Sequence, residues 1–412
     1  MGNSAIPGRH GASTHDVAPM SRAVSAPTAH VGEPASVPGP VAGRTPLRVC
    51  LVGPSLDIVG GQSIVLDRLR TRFGETDGVQ VSFVPVNPRL PGVLGALQRI
   101  KYVRTIVTSA AYVASLVRHL REVDVVHAFS ASYWSYLLAP VPAMLVGRLY
   151  GKTVVLNYHS GEADDHLANW PTAARFARHA DAIAVPSGYL VEVFHRHGLA
   201  ATSIYNFVEI ERIPFRSRAL LRPRFLSNRN LEALYDVACT IRAFARVQAE
   251  FPDAELVVAG EGRERAALEA LVAELGVRQV RFLGRVAPDD MPTLYADADV
   301  YLNASRIDNM PSSIIEAYAA GLPVVTTDAG GIPFILQHES TGLMVHTGDD
   351  VGLATQALRL LRDPALVERL TSRARSECLE RYVWPAVRDA WLQLYRDASR
   401  TPASQPATSP AP

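Results

Sequence analysis

Apolar residues along this chain fall into two kinds of run. Short β-branched stretches alternate with longer ones in which apolar positions recur every three or four residues, the pattern of parallel strands joined by crossover helices. Two such sets are present. The first opens with LRVCLVG (Leu47 to Gly53) and continues through VQVSFVPV, VDVVHAF, TVVLNYHS and DAIAVPS. The second opens near PRFLSNRN (Pro223 to Asn230) and continues through AELVVAGEG, VRFLGRV, ADVYLNAS and LPVVTTDAGG. Periodicity lapses around Tyr205 to Arg218, so the pattern predicts two Rossmann-like α/β domains, 46–205 and 206–380. Ligands of such folds sit at the carboxyl ends of the strands, which puts the expected site in the cleft between the domains.

Composition narrows the function classes. A chain of 412 residues, nearly half of them apolar, can hold two cores of ordinary size. Its net charge of +1 and the lack of a basic stripe with interleaved aromatics argue against nucleic acid. Cys50, Cys239 and Cys378 are far apart and lack metal-ligand spacing, so they read as reduced thiols of a cytoplasmic protein. Residues 1–45 and 399–412, rich in small residues and proline, are expected to be disordered tails, and the first shows no signal-peptide pattern. The apolar run from Tyr133 to Tyr150 is interrupted by Pro140, Pro142 and Arg148, so no bilayer span is expected. Residues 94–121 read as one helix carrying Arg99, Lys101, Arg104, Arg118 and Arg121. That helix is either a solvated face or a contact with the inner face of an anionic membrane.

The densest candidate chemistry lies in DNMPSSIIEAYAAGLPVVTTDAGG, Asp308 to Gly331. Pro311 suits a first helical position, Ile314, Ile315 and Tyr318 mark a buried face, and Gly321 supplies the stop. Asp308 then precedes a helix and Glu316 lies within it. Backbone amides from Met310 to Ser313, through Pro311 and Ser312 and next to Asn309, would present an N-terminus suited to a diphosphate. Glu316 is a candidate for ribose hydroxyls. Arg229, after a strand, suits a bidentate phosphate contact or is a plain loop cation. Gly60 and Gly61 form a turn after the first strand for close approach of acceptor or phosphate, and Gly260 and Gly262 form a second turn beside the nucleotide. Neither is a Gly-x-Gly-x-x-Gly fingerprint, which disfavours a dinucleotide cofactor. His159, at a strand end before SGEADDH, faces the cleft as an acceptor-side catalytic or binding residue, or else packs or caps. His127 reads as structural. Asp297-Ala298-Asp299 imitates a metal-binding Asp-x-Asp but stands before a strand, and no metal site is expected.

The pieces VGGQS, HSGE, SNRNLEALYDV, VVAGEG, FLGRV, DNMPSSIIEAYAAGLPVV and TDAGGIP stand in the order seen in family 4 of the glycosyltransferases, which have the GT-B fold. The likeness spans roughly 47–396. It implies two Rossmann-like domains facing across a cleft, acceptor on the first and donor on the second, and a last helix crossing back to the first domain. RYVWPAVRDAWLQLYRDAS, at 381–398, resembles that helix. The implied reaction is a retaining, metal-independent transfer from a nucleotide-diphosphate sugar, expected to be UDP-linked, to a carbohydrate or lipid-linked hydroxyl in glycan, glycolipid or exopolysaccharide synthesis. The nucleotide sugar is a co-substrate, and no cofactor is implied.

Residue by residue, the resemblance makes Asp308 and Glu316 the family's Glu-x7-Glu pair, the first carboxylate one methylene shorter. Arg229 matches a diphosphate-binding Arg, whereas Leu234 stands where a Lys is usual. Phe334 replaces an acidic residue common in relatives, and Arg285 lies where relatives hold the base through backbone atoms. Loss of one preorganised cation can cost on the order of 100-fold in rate. Two other readings therefore stay open: a nucleotide-sugar-binding or scaffolding homologue with weakened catalysis, and a sugar-nucleotide epimerase of similar fold.

Overall fold

The structure is a computed structural model and describes residues 45–56, 61–130, 132–218 and 220–400. The first expected tail, but for its last residue, lies outside these residues, as does most of the second. Residues 399 and 400 do not belong to a tail, because the last helix continues through them.

Both sets of apolar runs form parallel sheets. In the first half the strands are β1 (Leu47–Gly53), β2 (Val79–Pro85), β3 (Val125–Ser130), β4 (Thr153–Tyr158), β5 (Ala182–Val185) and β6 (Thr202–Ser203), in the order β2-β1-β3-β4-β5-β6. The second half contributes β7 (Arg224–Ser227), β8 (Glu255–Ala259), β9 (Val280–Gly284), β10 (Val300–Asn303), β11 (Val324–Thr327) and β12 (Leu343–Val345), in the order β12-β11-β10-β7-β8-β9. Strand order reverses between β1 and β3 in one sheet and between β7 and β10 in the other. These reversals open crevices at the carboxyl ends, where ligands of doubly wound sheets bind.

Continuous apolar strands are needed because helices cover both faces of each sheet. Alternate residues of β1 enter different cores: Cys50 and Val52 pack with Tyr112 and Met144, whereas Val49 and Leu51 pack with Leu66, Phe73, Trp391 and Tyr395. Trp391 and Tyr395 belong to the helix Trp384–Arg400, which thereby closes a face of the first sheet after the chain has completed the second. The fold is the expected α/β arrangement with a returning C-terminal helix, although that helix starts at Trp384 rather than 381. Just before it, Val383 bridges Val208 of the segment joining the sheets.

The segment 94–121 is not one helix. It is split into Gly92–Leu97 and Val103–His119, with Tyr102 at φ 69° between them. Tyr112 and Leu116 anchor the longer helix in the core, while Val93, Leu94, Ile100, Tyr102 and Ile106 are exposed beside Arg99, Lys101 and Arg104. Among the described residues no helix is long and apolar enough to cross a membrane.

Candidate functional site

A cleft of about 880 Å³ lies where the two sets of strand ends meet. On one wall, Asn228 and Arg229 follow the end of β7, and the loop after β10 carries Asp308 into the helix Ser312–Ala320. Pro311 is the residue capping that helix rather than its first turn, with ψ at 110°, and it does not line the cleft. Gly321 ends the helix at φ 69°, as its position predicted. The Gly330-Gly331 turn after β11 fixes this loop from behind. A Cβ at Gly330 would lie 2.2 Å from the Asp308 carbonyl oxygen, and one at Gly331 would lie 1.8 Å from that of Asn309. Only glycines allow that approach.

Asp308 and Arg229 form a nearly enclosed ion pair, Oδ2 to Nη2 at 2.5 Å, with side chains 9% and 13% exposed. Ser305 Oγ donates to the same carboxylate at 3.2 Å, and the Asn309 amide donates to its other oxygen at 2.9 Å. The Arg229 guanidinium also lies 4.2 Å above the Tyr235 ring. Burial raises the Asp308 carboxyl above its ordinary value despite the neighbouring Arg229 charge. Burial opposes the Arg229 charge too and is the largest single influence, but Asp308 together with Tyr235, Tyr301 and Tyr295 outweighs it and Arg229 is raised. The expected phosphate-binding Arg is therefore held by the expected sugar-binding carboxylate.

Glu316 faces the cleft one turn into the helix, and both of its oxygens are engaged. Tyr295 donates to Oε2 at 2.9 Å and is itself a hydrogen-bond acceptor from Asn228 at 2.7 Å. Arg68, from the helix Gly61–Gly74 that follows β1, donates to Oε1 at 3.0 Å. Arg68 also stands 3.8 Å from Glu209 and 3.4 Å from the Phe207 carbonyl. Sequence reasoning missed Arg68, Tyr295 and Asn228. Arg68 looks like any polar position of an amphipathic helix, and Tyr295 like any core aromatic, until the two sheets are placed face to face.

The other wall belongs to the first sheet. Gly61, Gln62, His159, Ser160 and Gly161 line it, whereas Gly60 lies outside the described residues. A Cβ on Gly61 would meet nothing within 4 Å. Gln62 binds the Ser130 carbonyl at 2.8 Å, tying the start of its helix to the end of β3. His159 stacks on Phe129 at 5.5 Å, and its Nε2 is buried without a hydrogen-bond partner. Burial lowers its pKa to about 4, so the ring is neutral at pH 7. The segment joining the sheets and the turn after β5 also grip the loop after β10: Asn206 Nδ2 donates to the Met310 carbonyl at 3.3 Å, and Ser187 Oγ donates to the Asn309 side chain.

Besides Pro311, three expected site residues are not brought to the cleft. Gly260 and Gly262 do not line it; they serve chain packing, since a Cβ on either would lie 2.2 Å or 2.1 Å from the carbonyl oxygen of Arg229 or Leu231. Arg285 pairs with Glu261 at 3.2 Å on the exposed surface, and its neighbour Val286 lines the cleft instead. Met310, Asn309 and Ser312 do line it, as does Leu234, whose carbonyl accepts the amides of Arg306 and Ile307. Phe334 packs against Gly188 of the first half, where a Cβ would fall 2.5 Å from its ring. His127 is fully buried between Tyr395 at 2.7 Å and Asn157 at 2.9 Å, a structural role. Asp299 has no free oxygen for a metal: Arg222 at 2.7 Å, Arg218 at 3.6 Å and Arg216 surround it and fasten the entry of β7 to that of β10. Among the described residues no group of three or more His, Cys, Asp or Glu is arranged to hold a metal ion.

Comparison with known proteins agrees with this architecture. The sequence pattern described as Glycosyltransferase Family 4 matches residues 59–212, and that described as Glycosyl transferases group 1 matches 223–363. N-acetyl-alpha-D-glucosaminyl L-malate synthase of Bacillus anthracis is 32% identical over 212 residues, 48% of this chain and 54% of that protein. This chain thus matches about half the length of that relative. Glycogen synthase of Mycobacterium tuberculosis is 29% identical over 297 residues, 67% of this chain and 69% of the relative. The crystal structure of Anabaena HepE in complex with UDP-glucose superimposes with a TM-score of 0.69 at 18% identity, over 85% of this chain and 99% of that one. With two parallel sheets facing across one cleft and both sequence patterns falling on the corresponding halves, the chain belongs to the family 4 glycosyltransferases of the GT-B fold.

Proposed function

We propose that the protein is a retaining, metal-independent glycosyltransferase that moves a sugar from a UDP-linked donor to a hydroxyl acceptor in glycan, glycolipid or exopolysaccharide synthesis. The observation that carries this reading is the juxtaposition of Asp308, Arg229 and Glu316 around one helix N-terminus at the strand-order reversal of the second sheet. Ribose hydroxyls donate to Glu316. The diphosphate meets the first-turn amides, which lack intrahelical acceptors, and the guanidinium of Arg229. Asp308, released in part from Arg229, accepts from sugar hydroxyls. Anabaena HepE has been crystallised with UDP-glucose, a donor chemistry for which this cleft has the same fold.

In the proposed reaction the acceptor oxygen attacks the anomeric carbon from the face of the leaving group. The bond from that carbon to the diphosphate oxygen breaks, and the acceptor's proton passes to the departing phosphate oxygen. Positive charge at the helix start and on Arg229 stabilises the anion as it forms. His159, neutral and unpartnered at Nε2, orients the acceptor hydroxyl. No step calls for a metal, and the work is proposed to be cytoplasmic.

A lipid-linked acceptor fits the exposed Val93, Leu94, Ile100, Tyr102 and Ile106 beside three basic residues, a surface of the kind that binds anionic bilayers. Vesicles containing acidic lipid should sediment the protein in a salt-sensitive way, and equal recovery without lipid would remove that part of the reading. The activity is tested with a panel of nucleotide sugars and EDTA present. Slow donor hydrolysis, accelerated by acceptor with retention of the anomeric configuration, is the expected result. Binding without turnover of any donor would favour the scaffolding reading, for which the aliphatic Leu234 on the donor wall speaks. Interconversion of nucleotide sugars without acceptor would favour an epimerase.

A further inference from the structure

Entry of a nucleotide diphosphate brings two or more negative charges into a partly enclosed cleft, and charges leaving water need compensating cations. Among the described residues the cleft is poor in them: six carboxylate side chains line it against three guanidinium groups. Arg229 is already bound to Asp308. Arg212 sits at the rim, 47% exposed, and is held by Glu209 at 3.2 Å and by Asp289. Leu234 adds no charge to the donor wall. The third guanidinium is that of Arg68, which comes from the first sheet's side and is 19% exposed.

Arg68 covers Oε1 of Glu316 and Tyr295 holds Oε2, leaving that side chain 12% exposed. Ribose hydroxyls approaching the carboxylate therefore compete with Arg68 for it. The displaced guanidinium has no equivalent partner to return to. Glu209, 3.8 Å away, already lies within 3.5 Å of both Arg72 and Arg212. Four residues before Glu316 stands Ser312, where the helix begins. At about 1.5 Å per residue that is roughly 6 Å, within the sweep of an arginine side chain. The diphosphate is expected at that helix start.

We infer that Arg68 is the second cation of the donor site: it pairs with Glu316 and passes to the donor's diphosphate when ribose takes Glu316. The inference rests on the donor reading given above. It makes donor affinity depend on both halves of the molecule, since the ribose partner and the phosphate partner come from different sheets.

The test separates the phosphate contact from an effect on the ribose pocket. UDP, GDP and ADP are titrated calorimetrically into the full chain, and the one that binds is compared with its own nucleoside, followed by saturation-transfer NMR, in wild type, Arg68→Ala and Arg68→Lys. The diphosphate should weaken about ten- to hundredfold in Arg68→Ala and recover partly in Arg68→Lys. Nucleoside binding should stay level or tighten, because Glu316 has been freed. Equal factors for nucleoside and diphosphate, or an unchanged diphosphate affinity, would overturn the inference while leaving the donor reading intact. Failure of wild type to bind any of the three would overturn both. Thermal unfolding accompanies each variant, and should Arg68→Ala fail to fold, Arg68→Gln removes the charge at nearly the same size and is judged by the same comparison.

Discussion

At the scale of single residues, the cleft is a set of charges held against one another. Arg229 and Asp308 are each about nine-tenths covered, and removing one partner strands the other with little access to water. Arg229→Ala should cost about 3–5 kcal/mol in urea unfolding, and Asp308→Ala a comparable amount. The double variant should cost clearly less than the sum, and strict additivity would show the pair to be uncoupled. Glu316→Ala should weaken nucleotide diphosphate binding about tenfold or more, since hydrogen bonds to a charged group contribute roughly 1.5–3 kcal/mol each. Unchanged affinity in calorimetry would remove Glu316 from the ribose site. Asp308, Glu316 and Arg229 were legible in the sequence because helix-start chemistry and strand ends mark them. Arg68 was not, because nothing local distinguishes it from the other polar positions of its helix.

At the scale of elements, turns decide where the charges stand. The turn after β8 is pressed against the loop after β7, with a Cβ at Gly260 falling 2.2 Å from the Arg229 carbonyl oxygen. Gly260→Ala should therefore push the Arg229 loop aside, costing about 1–3 kcal/mol and lowering transfer more than tenfold. Gly276→Ala is the control: φ is +64° and nothing lies within 4 Å, so it should cost about 1 kcal/mol of backbone strain and leave kcat alone. Comparable losses of activity in the two variants would break the link between the β8 turn and Arg229. The glycine turn was readable as a close approach, but what approaches is the protein's own backbone. The basic segment 94–121 likewise read as one helix from its pattern, and the left-handed conformation of Tyr102 divides it.

For the molecule as a whole, the returning helix is fastened to the first sheet at a group that tolerates no charge. His127 of β3 is fully buried and joined to Tyr395 of the returning helix, and burial lowers its pKa to about 3. The unfolded chain takes up that proton near pH 6.5 while the native protein does not. Stability from this group is therefore present above pH 6.5 and is lost as pH falls toward 3, on the order of 5 kcal/mol in all. Urea midpoints measured from pH 7 to 4 should fall, and His127→Gln should flatten that slope by about one proton; an unchanged slope would place the lost stability elsewhere. By itself the sequence determined two parallel α/β sheets and the carboxylates and guanidinium around the Ser312–Ala320 helix, because periodicity, caps and strand ends are local signals, while the returning last helix was implied by the family resemblance. Tertiary structure alone decided that Arg68 meets Glu316, that Tyr295 completes that carboxylate's partners, and that Gly260 and Gly262 pack backbone. Those contacts join residues far apart in the chain, and their distances follow from how two sheets face each other across a cleft.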